Sequence, residues 1–418
     1  MKIIFLNRYF FPDQSATSRM TTSIALALVQ RGFDVMAVAS REIHNQRTTS
    51  LPADEVIAGV QVKRLATFRF GRHTVVGRAI DYLCFHVLAF FWLLRNVSAG
   101  DMTVVCTDPP FLSVTSAVAL RLKGGIMVNW IMDLFPETAV ELGFFRRWRL
   151  PMQFARKARN WSLNSPGITV CSTSRMATYV EQQGLPRDHL TIMHHWSDDE
   201  EIYPIPPSRN RLRSQWGLSG TFVVGYSGNF GRAHEFQTII DAARRLKDRD
   251  DIRFLLIGGG HQHAAVMEAA QQFQLDNMIF KPLQPIANLS ESLNAADVHL
   301  VSLLPELEHC IVPSKFYGIL AAGRPTIFIG DQDGEVPRAL ASNGCGRSVE
   351  IGAVDDLTAT ICDMRNSPEL RTEMGQKARQ LLLKEYSRER AIDAWCALIT
   401  RVRNASPSVS PLAQGISP

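Results

Sequence analysis

"MKIIFLNRYFFPDQSATSRMTTSIALALVQRGFDVMAVAS", residues 1–40, holds one complete unit of the fold. "KIIFLN" is a short apolar run broken by Asn7 and Arg8, which reads as a first buried strand rather than a secretory leader. A helical pattern follows from about Ser18 to Arg31, and Gly32 can take the left-handed conformation that ends it. "DVMAVAS" is the next strand. Strand, helix and strand in one short stretch make a βαβ unit, which belongs to a parallel sheet.

The alternation continues through "MTVVCT" (102–107), "LSVTSAVALRL", "GIMVNWIMD" (125–133) and "GITVCS" (167–172). It breaks at "HHWSDDEEIYPIPPSRNRLRSQWGL", which is polar, then acidic, then proline-rich, and reads as a connection. It restarts with "TFVVGYSG", "IRFLLIGGG", "MIFKPL", "VHLVSLL" and "PTIFIG". The predicted class is α/β: two Rossmann-like, doubly wound parallel-sheet domains facing a cleft. The expected boundaries are 1–195, a linker 196–215, and 216–387, with a disordered tail at 404–418. Ligands of such sheets bind outside the carboxyl ends of the strands.

Composition narrows the function. The chain has 418 residues, 46% apolar and 20% charged, with a net charge of +5. This mild excess suits an anionic ligand or a membrane surface and does not call for nucleic acid. The seven cysteines are scattered without a CxxC pair, as expected of reduced thiols in the cytoplasm. His261 and His263 lack a third ligand nearby, so no metal is expected. The apolar run "YLCFHVLAFFWLL" (82–94) is shorter than the about 20 residues a bilayer requires, so the expectation is a chain that does not cross a membrane. It follows Arg69, Arg72 and Arg78. "FFRRWRLPMQFARKARNW" (144–161) interleaves basic residues with Trp and Phe, and no acid occurs between Glu141 and Glu181. Two readings stand for these segments: an anionic lipid surface, or an amphipathic helix with a solvated basic face.

Four motifs carry chemistry. In "CIVPSKFYGILAAGRP" (310–325), Ser314 fits an N-cap, Gly323 a C′ residue, and Pro325 a stop. The helix start and Lys315 could hold a phosphate, or Lys315 could be a solvated first-turn residue. "YSGNFGRAHEF" (226–236) sets Gly228, Asn229, Gly231 and Arg232 between a strand and a helix. It suits close approach to a phosphate, with Arg232 or His234 adding charge, or it is an ordinary glycine turn. "LLIGGGHQHA" (255–264) lacks the third glycine of a dinucleotide fingerprint, which disfavours a dehydrogenase, but Gly258 could line a nucleotide pocket. Asp133, in "WIMDLFPETAVELG" (130–143), ends a strand and either enters the cleft or caps a helix.

Together these motifs, with "FFPDQSATSRMTTSIALALVQRGFDVMAVAS" and "VPSKFYGILAAGRP", resemble the GT-B retaining glycosyltransferases of family 4, of the bacterial surface-polysaccharide type. The resemblance implies a C-terminal domain for the nucleotide sugar, expected to be UDP-linked, and an N-terminal domain for the acceptor. It implies a C-terminal helix, 388–403, that crosses back to the first domain. Lys315 would contact the diphosphate, with Ser314, Gly228 and Asn229 beside it, and the loop carrying Asp13, Ser15 and Ser18 would close the pocket. Family members carry two glutamates where this chain has Cys310 and Gly318, so Glu335 is the expected ribose partner; they carry an arginine where this chain has Asn229, so Arg232 is the expected second cation. The implied reaction is a metal-independent same-face displacement, with Asp133 orienting the acceptor or, alternatively, acting as nucleophile. The acceptor class is a polyprenyl-diphosphate-linked saccharide, met by a peripheral enzyme at the inner face of the cytoplasmic membrane. A nonhydrolysing UDP-sugar epimerase and a non-catalytic membrane scaffold are the rival readings.

Overall fold

The computed structural model describes residues 1–44, 50–68, 75–145 and 149–405. Arg69 and Arg72, residues 146–148 of the basic aromatic segment, and residues 406–418 of the expected tail lie outside them.

Among the described residues, fourteen strands form two sheets. The first contains β1 (Ile3–Leu6), β2 (Val35–Ser40), β3 (Asp54–Ile57), β4 (Val60–Leu65), β5 (Met102–Val105), β6 (Ile126–Ile131), β7 (Gly167–Cys171) and β8 (Leu190–Ile192). Their order is β3-β4-β2-β1-β5-β6-β7-β8, and only β3 runs antiparallel to its neighbour. The second contains β9 (Phe222–Asn229), β10 (Ile252–Gly259), β11 (Met278–Lys281), β12 (Val298–Ser302), β13 (Thr326–Ile329) and β14 (Gly346–Val349), in the all-parallel order β11-β10-β9-β12-β13-β14. Strands such as β1, β5 and β6 are buried at every position, which is why they read as continuous apolar runs.

In both sheets the strand order reverses beside the first strand, between β1 and β5 and between β9 and β12. At such a point the loops leave on opposite faces and open a crevice. The loops after β9 and β12 carry Arg232, His234 and, further on, Lys315. The loops after β1 and β6 carry Asp13 and Asp133.

The helix Val75–Asn96 has 22 residues and is longer than the apolar run suggested. By length and composition alone, Val76–Asn96 suffices to cross a membrane. In the fold it lies on the first sheet, with Phe85, Ala89 and Leu93 buried against it. The helix Arg388–Ala405 returns to that sheet too: Trp395 is fully buried, 4.6 Å from Trp130 and 6.4 Å from Phe5 by ring centroids. The two halves share a core in which Leu134 and Met176 join Cys310, Phe316 and Tyr317. The Leu134 amide donates to the Cys310 carbonyl at 2.8 Å, tying the segment after β6 to the loop that leads into Lys315.

Candidate active site

Lys315 opens a helix of seven residues, Lys315–Ala321. The side chain is half-buried, and its ammonium is held by protein groups. Nζ donates to the Tyr226 hydroxyl at 2.9 Å and meets His234 Nε2 at 2.9 Å, lying 4.6 Å over the Tyr226 ring. The protonation of His234 follows from its other side. Nδ1 is 2.5 Å from the Ser302 carbonyl, which can only accept, so Nδ1 carries the proton and Nε2 presents its lone pair to Lys315. Burial, then the nearby Lys315, push the His234 pKa down to about 3. Tyr226 donates to the Asn229 carbonyl at 2.8 Å, and burial raises its pKa. Both partners of Lys315 are therefore neutral, and burial lowers the Lys315 pKa to about 7.

The glycines have steric reasons. A Cβ on Gly228 would sit 3.1 Å from Lys315 Cε, at a φ of +140° that L residues avoid. A Cβ on Gly258 would sit 2.0 Å from the Gly228 carbonyl oxygen, so β9 and β10 could not end side by side. The cation, the glycine turn and the imidazole thus converge at the β9/β12 crevice.

Across the cleft, Asp133 is solvent-exposed at the end of β6 but ringed by protein. Reduced solvation, then Asp108, raise its pKa to about 6. It lines a cavity of about 30 Å³, water-sized, with Phe111, Phe135 and Trp130.

Other expectations need correction. The Ser314 side chain makes no capping bond and its backbone is already helical, so it does not serve as the cap its residue type suggested. Arg232 is exposed and lies 5.2 Å over Phe144, so no bond joins it to the Lys315 cluster. Asp13 is buried. It accepts from the Ser15 amide at 2.8 Å, from the Ser15 hydroxyl at 2.5 Å and from the His44 amide, while Ser18 donates to the Asp13 carbonyl at 3.0 Å. These bonds hold the loop's shape. The Glu335 carboxylate accepts from the Ser174 hydroxyl at 2.6 Å and amide at 3.2 Å, making it a clasp to the first domain. A side chain at Gly318 would point towards Leu293 and Ile202, an apolar setting for a carboxylate. Nothing in their residue types or spacing marks Tyr226 or Ser302 as functional. Both lie in quoted stretches, but their roles depend on Lys315 and His234 approaching in space.

Residues 208–381 match the family model described as glycosyl transferases group 1. The chain is 28% identical over 400 residues to the putative colanic acid biosynthesis glycosyl transferase WcaI of Escherichia coli (strain K12), covering 92% of this chain and 97% of that one. It is 23% identical over 335 residues to the probable glycosyltransferase WbjE of Pseudomonas aeruginosa, covering 79% and 82%. Sucrose-phosphate synthase from Thermosynechococcus elongatus superposes with a TM-score of 0.78 at 15% identity, covering 97% of this chain and all of that one. Anabaena HepE, in complex with UDP and glucose, superposes with a TM-score of 0.73 at 13% identity, covering 96% of this chain and all of that one. The second domain thus matches the glycosyl transferases group 1 model over residues 208–381, the chain is similar over most of its length to bacterial glycosyltransferases, and its two facing α/β domains have the GT-B fold.

Proposed function

We propose that this enzyme transfers a sugar, with retention, from a UDP-linked donor to a polyprenyl-diphosphate-linked saccharide during bacterial surface-polysaccharide assembly. The observation that carries the donor side is Lys315: a cation at the strand-order reversal of the second sheet, held by two neutral groups and, among the described residues, lacking a carboxylate partner. An unneutralised ammonium beside a glycine turn favours the diphosphate, whose charge grows as the glycosidic bond breaks. The polysaccharide setting is supported by the names of the relatives, a colanic acid glycosyl transferase and WaaG, a glycosyltransferase involved in lipopolysaccharide biosynthesis. HepE and its UDP complexes support the choice of base.

In this reading the sugar–phosphate bond loosens first and the acceptor hydroxyl enters from the side the diphosphate leaves. Asp133 orients that hydroxyl, and a leaving phosphate oxygen takes its proton. Isothermal titration with UDP tests the donor half, and saturable binding is expected. Absence of binding by UDP and by a panel of UDP-sugars would remove the donor assignment.

The pH dependence follows from the two shifted groups. Donor binding requires protonated Lys315, so it is favoured below about pH 7 and weakens as pH rises through that value. Asp133 acts ionised, so its contribution is lost as pH falls through about 6. The expected kcat/KM profile is a bell with limbs near 6 and 7, and Asp133→Asn should abolish the acidic limb. A flat profile from pH 5.5 to 8.5 would contradict both assignments.

The membrane half rests on the outer face of the first domain. Val76, Ile80, Leu83, Val87 and Phe91 form one exposed stripe of the helix Val75–Asn96. The neighbouring helix Leu112–Lys123 exposes Val118 and Leu122, and the helix Arg149–Leu163 beyond it exposes Leu150, Phe154 and Trp161. Arg95, Lys123 and Lys157 lie on these helices, and Arg121 stacks 3.9 Å over Trp161. The helices carry one acid, Asp81, and it is buried. Such a face suits the anionic inner leaflet of the cytoplasmic membrane. Leu83→Glu/Val87→Glu should lower co-sedimentation with anionic vesicles about tenfold at unchanged UDP affinity; unchanged co-sedimentation would sink this half.

A further inference from the structure

A cavity of about 580 Å³ lies away from the Lys315 crevice, between the linker and the end of the helix that Lys315 begins. Its walls include Pro204, Pro206, Arg324, Pro325, Arg371 and Arg379. The three guanidinium groups are anchored on carbonyls. Arg324 donates to Ile205 at 2.7 Å. Arg379 donates to Ile202 at 2.9 Å, to Asp199 at 2.9 Å and to Ala321 at 2.7 Å. Arg371 donates to Arg365 at 2.9 Å. Carbonyls orient a guanidinium but carry no net charge. The one acid lining the cavity, Asp297, is taken by Arg213 at 2.9 Å. Among the described residues, no carboxylate lies within ion-pair distance of Arg324, Arg371 or Arg379; Asp297 acts on Arg324 and Arg371, Glu369 on Arg371 and Asp199 on Arg379, each from farther off. Burial lowers the pKa of all three arginines, and Arg213 repels Arg324 and Arg371.

A concave site of this size, lined by the linker prolines Pro204, Pro206 and Pro207 and by three second-domain arginines, has the form of a small-molecule pocket. Guanidinium groups held in a fixed orientation match phosphate oxygens. We propose that the cavity is a second anion site, taking a small organic phosphate whose phosphate meets the arginines and whose remainder lies on the linker prolines. The arginines also hold linker carbonyls, so an occupant braces the linker against the second domain. The site is independent of the donor crevice, and its test removes that crevice from the measurement.

The test uses full-length Lys315→Ala protein, with inorganic phosphate and glucose 6-phosphate as calorimetric probes. Saturable one-to-one binding of glucose 6-phosphate, tighter than that of phosphate, is expected. Gln376→Glu adds a carboxylate at an exposed lining position without removing any anchoring bond. It should weaken binding about tenfold or more, and Arg371→Gln should do likewise, with thermal unfolding checked for each variant. No saturable binding, or an affinity unchanged in Gln376→Glu, would overturn the site. Equal affinity for the two probes would overturn the role of the linker prolines. UDP titration of the wild-type protein reports on the donor crevice separately.

Discussion

Lys315→Ala is expected to lower glycosyl transfer by about 10²- to 10³-fold, the usual cost of removing one preorganised donor to a developing negative charge. The fold should survive, because Lys315 makes its bonds to Tyr226 and His234 at the crevice rather than within a packed core. His234 keeps its bond to Ser302, and Tyr226 keeps its bond to Asn229. Lys315→Arg is not a conservative substitute, since a planar fork must fit beside Gly228, where even an added Cβ would sit 3.1 Å from Lys315 Cε. Gly228→Ala should weaken UDP binding through the same contact. Transfer and far-UV circular dichroism measured on one preparation decide the matter: retained transfer in Lys315→Ala would remove the diphosphate role, and a lost fold would make the residue structural.

Trp395→Ala should have the largest effect on stability, a loss of about 3–5 kcal/mol by denaturant unfolding. The ring belongs to the last helix but fills the core of the first sheet, between Phe5 and Trp130. Deleting it opens a cavity whose walls are strands β1 and β6, which cannot collapse without losing register. The unfolding transition of the first domain should move most, even though the substitution lies near residue 400 of the chain. A cost below about 1 kcal/mol would mean that the returning helix packs only loosely there.

Much of this fold was legible because its strands are buried on both faces. "FLLIGGG" and "GITVCS" have few alternatives in a chain that also shows helical periodicity. The hairpin of β3 and β4 was not marked. β3 is charged and solvent-facing, with Asp54 and Glu55 exposed, so it gives no apolar run. β8 and β14 are short edge strands and gave equally little signal. The 13-residue apolar run understated its helix because the flanking turns are mixed in character.

The candidate site divides along the same line. A lysine at a helix start, behind Pro313 and Ser314, was conspicuous in the sequence because the helix dipole disfavours it there. Glycine turns after apolar strands were visible because backbone freedom is written in the residue type. What makes Lys315 a poised cation was not visible, because Tyr226 and His234 lie 89 and 81 positions away along the chain. The same holds for Glu335, which looked free for a ribose but is bonded to Ser174, 161 positions away. By itself, the sequence determined two doubly wound α/β domains, the main parallel strands of each and the lysine at the helix start, since these depend on local periodicity and residue chemistry. The tertiary structure alone decided which polar groups are consumed and which are left with unspent charge, because burial and hydrogen-bond partnership are set by elements distant in the chain.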